Sequence, residues 1–591
     1  MPPDPPRKPS TSDRLALALL IVAVLVLFGR IVNHPFVVYD DVKYILTNPL
    51  VVNPASATPL DWLLTPSTGY IIPVTVAIEA LLYALGGGAP WAFHAASLTL
   101  HTLTTAGLFG FARRLGASTH AAALSTLAFA LHPVVVEPVS WATGIKDLIM
   151  APLALAATWC FFEASLPPSP HPDPTHPRHP QPPTPLSPPT SPDPTTPRTP
   201  TARPHLLVAA LTLAPLAALS KPTAVLIAAA WLAALAATRP PSPTTRPALI
   251  TASLTLAIGS ALALMSRFSH DTLLVADLDQ AAQGHFQPLL ALGHQLHHLA
   301  WPDHLHPIYR IDRTLAFSDW HTWLGAAALL AFSALTLSAR RSPPLALTLI
   351  LAAASFLPVS NILPFPRFMA DSYLYLPLAS LSLAASISLT RLLPHDQPLT
   401  RHSSKAAALV SLAIIAALAL RAHPQVNRWT GGAALWQPLI DQHPDWPYAH
   451  STLAQELHTL RKDSHTASRH FHDSFKVGYD PDALINYGVA LARINRLDDA
   501  ECVMVEATHH APQTATARRN LAIFLADHPD RPPTYPQHAT TLIHDFHRDA
   551  SAGLTPWPPA LLQGLATQAS RLPPSPNPPD PWPQHNCDPL R

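Results

Sequence analysis

The sequence predicts an all-α membrane protein, in which a polytopic helical bundle is followed by a short α-solenoid of helix pairs. The composition is the first indication. Of the 591 residues, 48% are hydrophobic and only 12% are charged, whereas an ordinary soluble domain has about 25% charged residues. The apolar residues are also grouped into runs close to the ~20 residues that a helix needs to cross a bilayer. Near the C-terminus the pattern changes to amphipathic helix pairs, which indicates the solenoid.

Eleven apolar segments are the candidate spans. The first, Arg14 to Val32, stands where a signal peptide would, but it is long and lacks a small-residue cleavage site before Asn33, so we interpret it as a retained span. The remaining ten are Trp91 to Phe111, Ala121 to Val136, Leu148 to Phe162, Leu206 to Leu219, Thr223 to Ala237, Ala248 to Met265, Trp323 to Ser338, Leu345 to Phe356, Tyr373 to Thr390 and Ala406 to Arg421.

Charge and cysteine content exclude two classes of site. The 37 lysines and arginines nearly balance the 36 aspartates and glutamates, so the chain lacks the basic surface that binds nucleic-acid phosphates. Cys160, Cys502 and Cys587 are far apart and form no C-x-x-C pair, which predicts neither a disulfide framework nor a thiolate zinc site. We also expect no catalytic metal and no cofactor.

Alternate loops differ in their lysine and arginine content, and cytoplasmic loops are the richer ones. The rich set includes the N-terminal tail and the loop at Arg113 and Arg114. With an odd number of spans, this predicts the N-terminus inside and everything after about Arg421 outside. The predicted domains are a cytoplasmic tail (1–13), a membrane domain (14–425), an outer repeat domain (426–528) and a proline-rich tail (529–591).

Residues 167–204 form a tract of proline, threonine, serine and histidine with almost no large apolar residue. Such a composition cannot bury a core, so we expect a disordered cytoplasmic loop. The histidines of the tract raise the alternative of metal binding, but no H-x-x-x-H pattern, which would place two of them on one helix face, occurs there.

A 34-residue period begins at Pro447, and this is the length of a tetratricopeptide repeat. The unit that opens at Pro481 fits well, the preceding unit has about one extra residue, and the following unit ends in proline after Asp527. Two interpretations stay open: a groove that binds peptide or acceptor, and a helical cap on the membrane domain. The diagnostic positions of the Pro481 unit are Leu484, Tyr487, Gly488, Leu491, Ala500, Ala507 and Pro512.

Two adjacent carboxylates, Asp40 and Asp41, follow the first span. Carboxylates beside lipid are costly and need a use or a partner. One can take the proton of an acceptor hydroxyl, while the other orients the acceptor or stabilises positive charge on a sugar carbon. Both are therefore candidate catalytic residues, with Asp40 favoured as the base. The alternative is that they cap a loop helix.

Further polar residues fall at span ends on the same predicted face of the membrane. Lys146, Lys221 and Arg367 are candidates to hold the phosphate of a lipid-linked sugar. Lysines at span ends are also common snorkelling anchors, which is the structural alternative. The polar residues expected to support this site are Glu137, Asp147, Asp371 and Tyr373.

These motifs together resemble, in chain order, the membrane proteins that join a C-type glycosyltransferase (GT-C) fold to tetratricopeptide repeats. That family includes the transmembrane and tetratricopeptide-repeat protein O-mannosyltransferases and their bacterial relatives. The segments that carry the resemblance are Pro35 to Asn48, Leu131 to Leu148, Ser220 to Pro222, Ala370 to Pro377, and Trp429 and Trp436 before the repeats.

The resemblance implies a GT-C fold and transfer of a sugar from a lipid-phosphate donor on the non-cytoplasmic face. By this likeness Asp40 and Asp41 match the acidic pair of the first outer loop, and Glu137, Lys146 and Asp147 match a second polar cluster.

The chain departs from the family pattern at three positions. Ile72 stands where relatives often have a basic residue, and Val135 stands where a second histidine is common. Ser372 replaces the arginine of an Asp-Arg-Tyr motif, and Arg367 is a candidate to replace the lost charge.

The sequence-based hypothesis is an integral-membrane glycosyltransferase that moves a mannose-like sugar from a polyprenyl phosphate donor to a protein or glycan hydroxyl. Its expected partners are membrane lipid, this donor and an acceptor that the repeats bind. We expect a bacterial inner membrane with the repeats in the periplasm, or the endoplasmic reticulum membrane in a eukaryote. The rival is a non-catalytic, membrane-anchored repeat scaffold. A transporter finds little support, because few ionisable residues lie near span centres.

Overall fold

A computed structural model describes residues 9–67, 70–165, 203–238, 245–268, 286–313, 316–339, 342–362, 367–392, 402–477, 481–510 and 515–528. Within these ranges the secondary structure is helical, apart from an isolated bridge between Ser67 and Tyr70. This confirms the all-α fold class. Nearly all of the tract 167–204, whose disorder is predicted, and the whole tail 529–591 lie outside the described residues.

The chain divides into two compact units. The membrane unit comprises Met1–Pro35 and Lys43–Trp429, and the C-terminal unit comprises Phe36–Val42 and Thr430–Arg591. The short segment that carries the acidic pair therefore belongs to the same unit as the repeat helices.

All eleven apolar segments contain helix, and two of the longer helices described in the membrane unit, Pro73–Gly86 and Gln287–Ala300, lie outside them. The longer helices described in the membrane unit are α1 (Thr11–Phe28), α2 (Pro73–Gly86), α3 (Pro90–Arg114), α4 (Thr119–Ala130), α5 (Ile145–Ser165), α6 (Pro204–Ser220), α7 (Ile227–Thr238), α8 (Thr245–Phe268), α9 (Gln287–Ala300), α10 (Trp320–Ser338), α11 (Pro343–Phe356), α12 (Tyr375–Leu392) and α13 (His402–Arg428).

Several of these helices are long and apolar enough to cross a membrane, which confirms a multi-pass membrane protein. Two consecutive helices, Thr119–Ala130 and Pro133–Ser140, meet at a bend of 54°. If they form a single broken span, they add one crossing. Other apolar helices, such as Pro204–Ser220, have only 10–17 residues. The described ranges thus contain fewer full-length spans than the eleven predicted, and each of the shorter apolar helices begins with a proline. The five full-length candidates are Thr11–Asn33, Ala142–Ser165, Trp320–Ser338, Asp371–Arg391 and Leu409–Arg428.

Ion pairs join the start of α1 to the ends of neighbouring helices. Arg113 Nε lies 2.7 Å from Asp13 Oδ1, and the Thr119 hydroxyl donates to the same carboxylate at 2.8 Å. Arg114 forms an ion pair with Glu163 near the end of α5. The start of α1 and the loop after α3 therefore lie at one end of the bundle, which agrees with their shared side in the charge pattern.

The C-terminal unit consists of antiparallel helix pairs on an apolar core. The helices that begin at Pro447 and Pro481 keep the 34-residue period of the sequence. A Cβ on Gly488 would lie 2.6 Å from Met504 Cγ, so glycine allows α17 and α18 to cross closely. The described helices are α14 (Ala433–Gln442), α15 (Pro447–Thr459), α16 (Ser464–Val477), α17 (Pro481–Arg493), α18 (Leu497–His510) and α19 (Ala515–Asp527).

Two of the three cysteines, Cys160 and Cys502, lie among the described residues. Cys502, on α18, is disulfide-bonded, whereas Cys160, on α5, is a free thiol. The sequence spacing argues against a disulfide framework, but a disulfide depends on Cα atoms that are close in space, not on spacing along the chain.

Candidate functional site

The acidic pair lies in a tightly held loop of the C-terminal unit. Asp41 is 1% exposed, and its Oδ2 accepts a hydrogen bond from the Val37 backbone N–H at 3.0 Å. Asp40 is only partly buried. Tyr39 precedes Asp40 in the sequence, and its ring packs edge-on against the Trp436 ring, with 5.6 Å between centroids. Asp41 therefore fixes the loop, and Asp40 is the more accessible carboxylate.

Glu456, on α15, anchors the same loop. Its carboxylate accepts hydrogen bonds from the indole Nε1 of Trp436 at 3.1 Å, from the Gly432 backbone N–H and from the Val38 backbone N–H. Burial raises the pKa of the Glu456 carboxyl, against the lowering effect of these donors and of the nearby Arg461. Sequence reasoning missed Glu456, because a single glutamate in an amphipathic helix has no signature of its own.

In the membrane unit, two ion pairs, one buried and one partly buried, join residues that are distant in sequence. Lys221 Nζ lies 2.5 Å from Asp147 Oδ1, and both side chains are almost fully buried. The Arg367 guanidinium lies 3.3 Å from Glu137 Oε1. The burial of Lys221 and of Lys146, at 5% and 7% exposure, argues against their being snorkelling anchors with exposed ammonium groups.

Asp371 contacts the ion pair of Arg367 and Glu137. Its backbone N–H donates to Glu137 Oε2 at 3.2 Å. Its carboxylate accepts a hydrogen bond from the Tyr309 hydroxyl at 2.7 Å and lies 3.5 Å from His298 Nδ1. Tyr309 and His298 are absent from the sequence-based site, because nothing in the local pattern around them links them to Asp371.

Aromatic rings cover the cations. Lys146 Nζ lies 4.7 Å from the centre of the Trp141 ring, and Lys221 Nζ lies 5.2 Å from that of Tyr373. The Arg367 guanidinium is 5.6 Å from each of these two rings. Trp429 stacks on Trp141 at 5.9 Å between centroids. These are cation–π distances, which favour charge in a site that is poor in water.

Arg367 reaches the position at which the chain departs from the family motif. One of its Nη atoms lies 3.5 Å from the Ser372 hydroxyl, and the guanidinium packs on the Tyr373 ring. Its positive charge thus lies beside the motif Asp371-Ser372-Tyr373.

Local backbone features hold the cluster in place. Helix α6 ends at Ser220, since Pro222 cannot continue it, and the Thr75 hydroxyl donates to the Ser220 carbonyl at 2.8 Å. This turn holds Lys221 in an extended conformation. A Cβ on Gly144 would lie 2.8 Å from the Pro138 carbonyl oxygen, so glycine is required where the chain folds back between Glu137 and Lys146.

The structure thus brings together every predicted site residue of the membrane unit, and their formal charges cancel: three cations and three carboxylates. Lys221, Asp147, Ser372 and Tyr373 line a small cavity of only ≈ 10 Å³, which is about the room that one water molecule needs. Chemically, such a cluster can exchange a carboxylate partner for the phosphate of a ligand. We name it the polar cluster; it comprises Glu137, Lys146, Asp147, Lys221, Arg367, Asp371 and Tyr373.

Two groups of histidine and aspartate among the described residues converge closely enough to hold a metal ion. One is His294 with Asp319 and His321, and the other is His450 with His470 and Asp473. Neither group includes a member of the acidic pair or of the polar cluster.

Comparison with known proteins finds similarity of sequence in one segment. No family model matches the chain. Protein O-mannosyl-transferase Tmtc2 of Drosophila melanogaster is 37% identical over 123 residues, which are 19% of this chain and 13% of Tmtc2.

Two solved structures are similar over most of the chain. ArnT from Cupriavidus metallidurans in the apo state has a TM-score of 0.39 at 15% identity, with 90% of this chain and 81% of ArnT covered. The Archaeoglobus fulgidus oligosaccharyltransferase in the apo form has a TM-score of 0.43 at 14% identity, with 79% of this chain and 60% of that chain covered. The matched 123 residues of Tmtc2 confirm the resemblance to the O-mannosyltransferases that the sequence motifs indicate.

Proposed function

We propose that the protein is an integral-membrane glycosyltransferase that moves a sugar of the mannose class from a polyprenyl phosphate donor to a protein or glycan hydroxyl on the outer face. The observation that carries this proposal is the polar cluster, in which the buried Lys221 and the partly buried Arg367 lie beside buried carboxylates and aromatic rings. Burying so many charges is costly. Such a cost is typical of a functional site in a membrane protein.

The proposed reaction is an inverting attack of the acceptor hydroxyl on the anomeric carbon. The Asp40 carboxylate takes the hydroxyl proton as a new C–O bond forms, and the bond from the anomeric carbon to the phosphate oxygen breaks. The electron pair of that bond leaves with the polyprenyl phosphate. Lys146, Lys221 and Arg367 would stabilise the growing negative charge on the phosphate. In this reaction Asp41 positions the loop that holds Asp40.

The rival function is a scaffold that displays the helix pairs of the C-terminal unit to a partner protein. Helix pairs of this kind commonly build binding surfaces. A scaffold does not require buried ion pairs within the bundle, and for this reason we favour the enzyme.

The direct test of the function is glycan analysis with and without the gene. Mass spectrometry of surface glycopeptides and glycans is expected to show the loss of a single sugar type when the gene is deleted. Purified protein in detergent or nanodiscs is then expected to transfer that sugar from its polyprenyl phosphate to an acceptor. An unchanged glycan profile, together with no transfer in vitro from any polyprenyl phosphate sugar, would contradict the proposal.

We further propose that the N-terminus is cytoplasmic and the C-terminal unit is on the outer side. The loop charges support this orientation. We expect a reporter fused after Arg114 to be active inside and one fused after Gln442 to be active outside. Reporters on the same side would contradict this topology.

A further inference from the structure

We propose that the membrane unit holds a divalent transition-metal ion, of the Zn²⁺ class, between helices α9 and α10. The ligands are the imidazoles of His294 and His321 and the carboxylate of Asp319, and one ligand atom from each lies within 4.8 Å of the other two. Two histidines and a carboxylate form a common zinc ligand set, which leaves a coordination position open. This site is separate from the acidic pair and from the polar cluster, and it does not depend on the transfer reaction.

The distances between ligand atoms fit a metal ion. His321 Nδ1 lies 2.7 Å from Asp319 Oδ1, and His294 Nε2 lies 3.5 Å from Asp319 Oδ2. Ligands around a tetrahedral zinc ion at ~2.0–2.1 Å are themselves about 3.3 Å apart, a value between these two separations. The two imidazole rings stack with their centroids 3.7 Å apart. Because an imidazole nitrogen binds a metal in the plane of its ring, one of the two stacked rings has to rotate for both to face one ion.

His294 is the least satisfied of the three ligands. Its Nε2 atom is buried and has no hydrogen-bond partner, although it is directed toward Asp319. A metal ion would satisfy this nitrogen and the carboxylate together.

The backbone brings the two helices close enough for such a site. A Cβ on Gly293 would collide with the His321 carbonyl oxygen, and a Cβ on Gly325 would collide with the Leu289 carbonyl oxygen. Each glycine thus removes the side chain that would hold α9 and α10 apart. The close approach places His294 next to His321.

Neighbouring groups orient the ligands. The Asp319 carboxylate accepts the His321 backbone N–H at 2.9 Å and caps the start of α10. The second ring nitrogen of His321, Nε2, lies 3.0 Å from His297 Nδ1. A partner on the second nitrogen of a ligating histidine is typical of metal sites, because it fixes the tautomer and the ring orientation.

The proposed ion would join α9 to α10. His298, one residue after His297 on α9, lies 3.5 Å from the Asp371 carboxylate of the polar cluster. Metal binding therefore stabilises the helix from which His298 reaches that cluster.

The test is the zinc content of the full-length protein, purified through a tag without histidine and dialysed against zinc and then against metal-free buffer. We expect His294→Ala, Asp319→Ala and His321→Ala each to contain about one zinc equivalent less than the wild type. The matched control is His205→Ala, since His205 is an exposed histidine on α6, and its zinc content should equal that of the wild type. Equal zinc contents in all five proteins would overturn the proposal.

A second measurement requires no variant. Zinc that binds the folded protein raises the melting temperature, and a chelator reverses the rise. We expect both effects in the wild type and in His205→Ala. No change in the wild type would overturn the proposal, even if the ligand variants fail to fold.

Discussion

Replacing Asp40 by asparagine is expected to lower the rate of sugar transfer by about 100-fold or more, because an amide cannot accept the proton of the acceptor hydroxyl. Folding should be preserved, since the Asp40 side chain is only partly buried. Asp41→Asn should have a smaller effect on transfer, because its remaining carbonyl oxygen can still accept the hydrogen bond from Val37. The measurement is transfer from a polyprenyl phosphate sugar by each purified protein.

The matched control for both variants is Asp441→Asn. Asp441 is an exposed aspartate in the same unit, bonded only to Gln437 of its own helix among the hydrogen bonds described for it, and its loss should leave transfer unchanged. Normal transfer by Asp40→Asn would contradict the role of Asp40 as base. A melting temperature that falls together with activity in both Asp40→Asn and Asp41→Asn would instead favour the structural cap.

Replacing Lys221 by methionine is expected to destabilise the membrane unit by about 3–5 kcal/mol, because the Asp147 carboxylate then stays buried without its cation. The pair is 2.5 Å apart, and both side chains are almost fully buried. The double variant Lys221→Met with Asp147→Leu should recover most of this loss, since replacing a whole buried pair by apolar residues is often neutral. The measurement is the free energy of unfolding in detergent for both single variants and the double variant.

Lys476→Met is the control for this cycle, because Lys476 pairs with Asp473 at the surface and exposed pairs contribute little. A double variant that instead loses as much free energy of unfolding as the two single variants together would show that the ion pair between Lys221 and Asp147 contributes no coupling energy. The double variant also separates stability from function: a folded double variant without transfer activity supports a role of Lys221 in binding the donor.

The helices and the polar cluster follow closely from the sequence, because both depend on local signals. Apolar runs predict helices directly, and Lys146, Lys221 and Arg367 stand out as charges at the ends of such runs. The true lengths of the spans are less predictable, since a proline such as Pro222 sets where one helix stops and the next begins.

Residues that complete each site through long-range contacts could not be predicted. Glu456 and Tyr309 are ordinary residues of a helix and a loop, and only the folded chain brings them to Trp436 and Asp371. The sequence does contain one indication of the proposed metal site. His294, His297 and His298 lie on one helix, and spacings of three and four residues place their side chains on one face. His321 lies on a different helix, and only the packing of α9 against α10 brings it to His294.

The membership of Phe36–Val42 in the C-terminal unit has a consequence for biosynthesis. This segment leaves the ribosome before Trp436 and Glu456, which hold it and are made about 400 residues later. At ~5–20 residues per second, the interval is on the order of 20–80 s. Until then Asp40 and Asp41 lack the loop conformation of the finished protein. An incomplete nascent chain therefore already carries Asp40 and Asp41 but cannot yet hold them in the arrangement proposed for transfer.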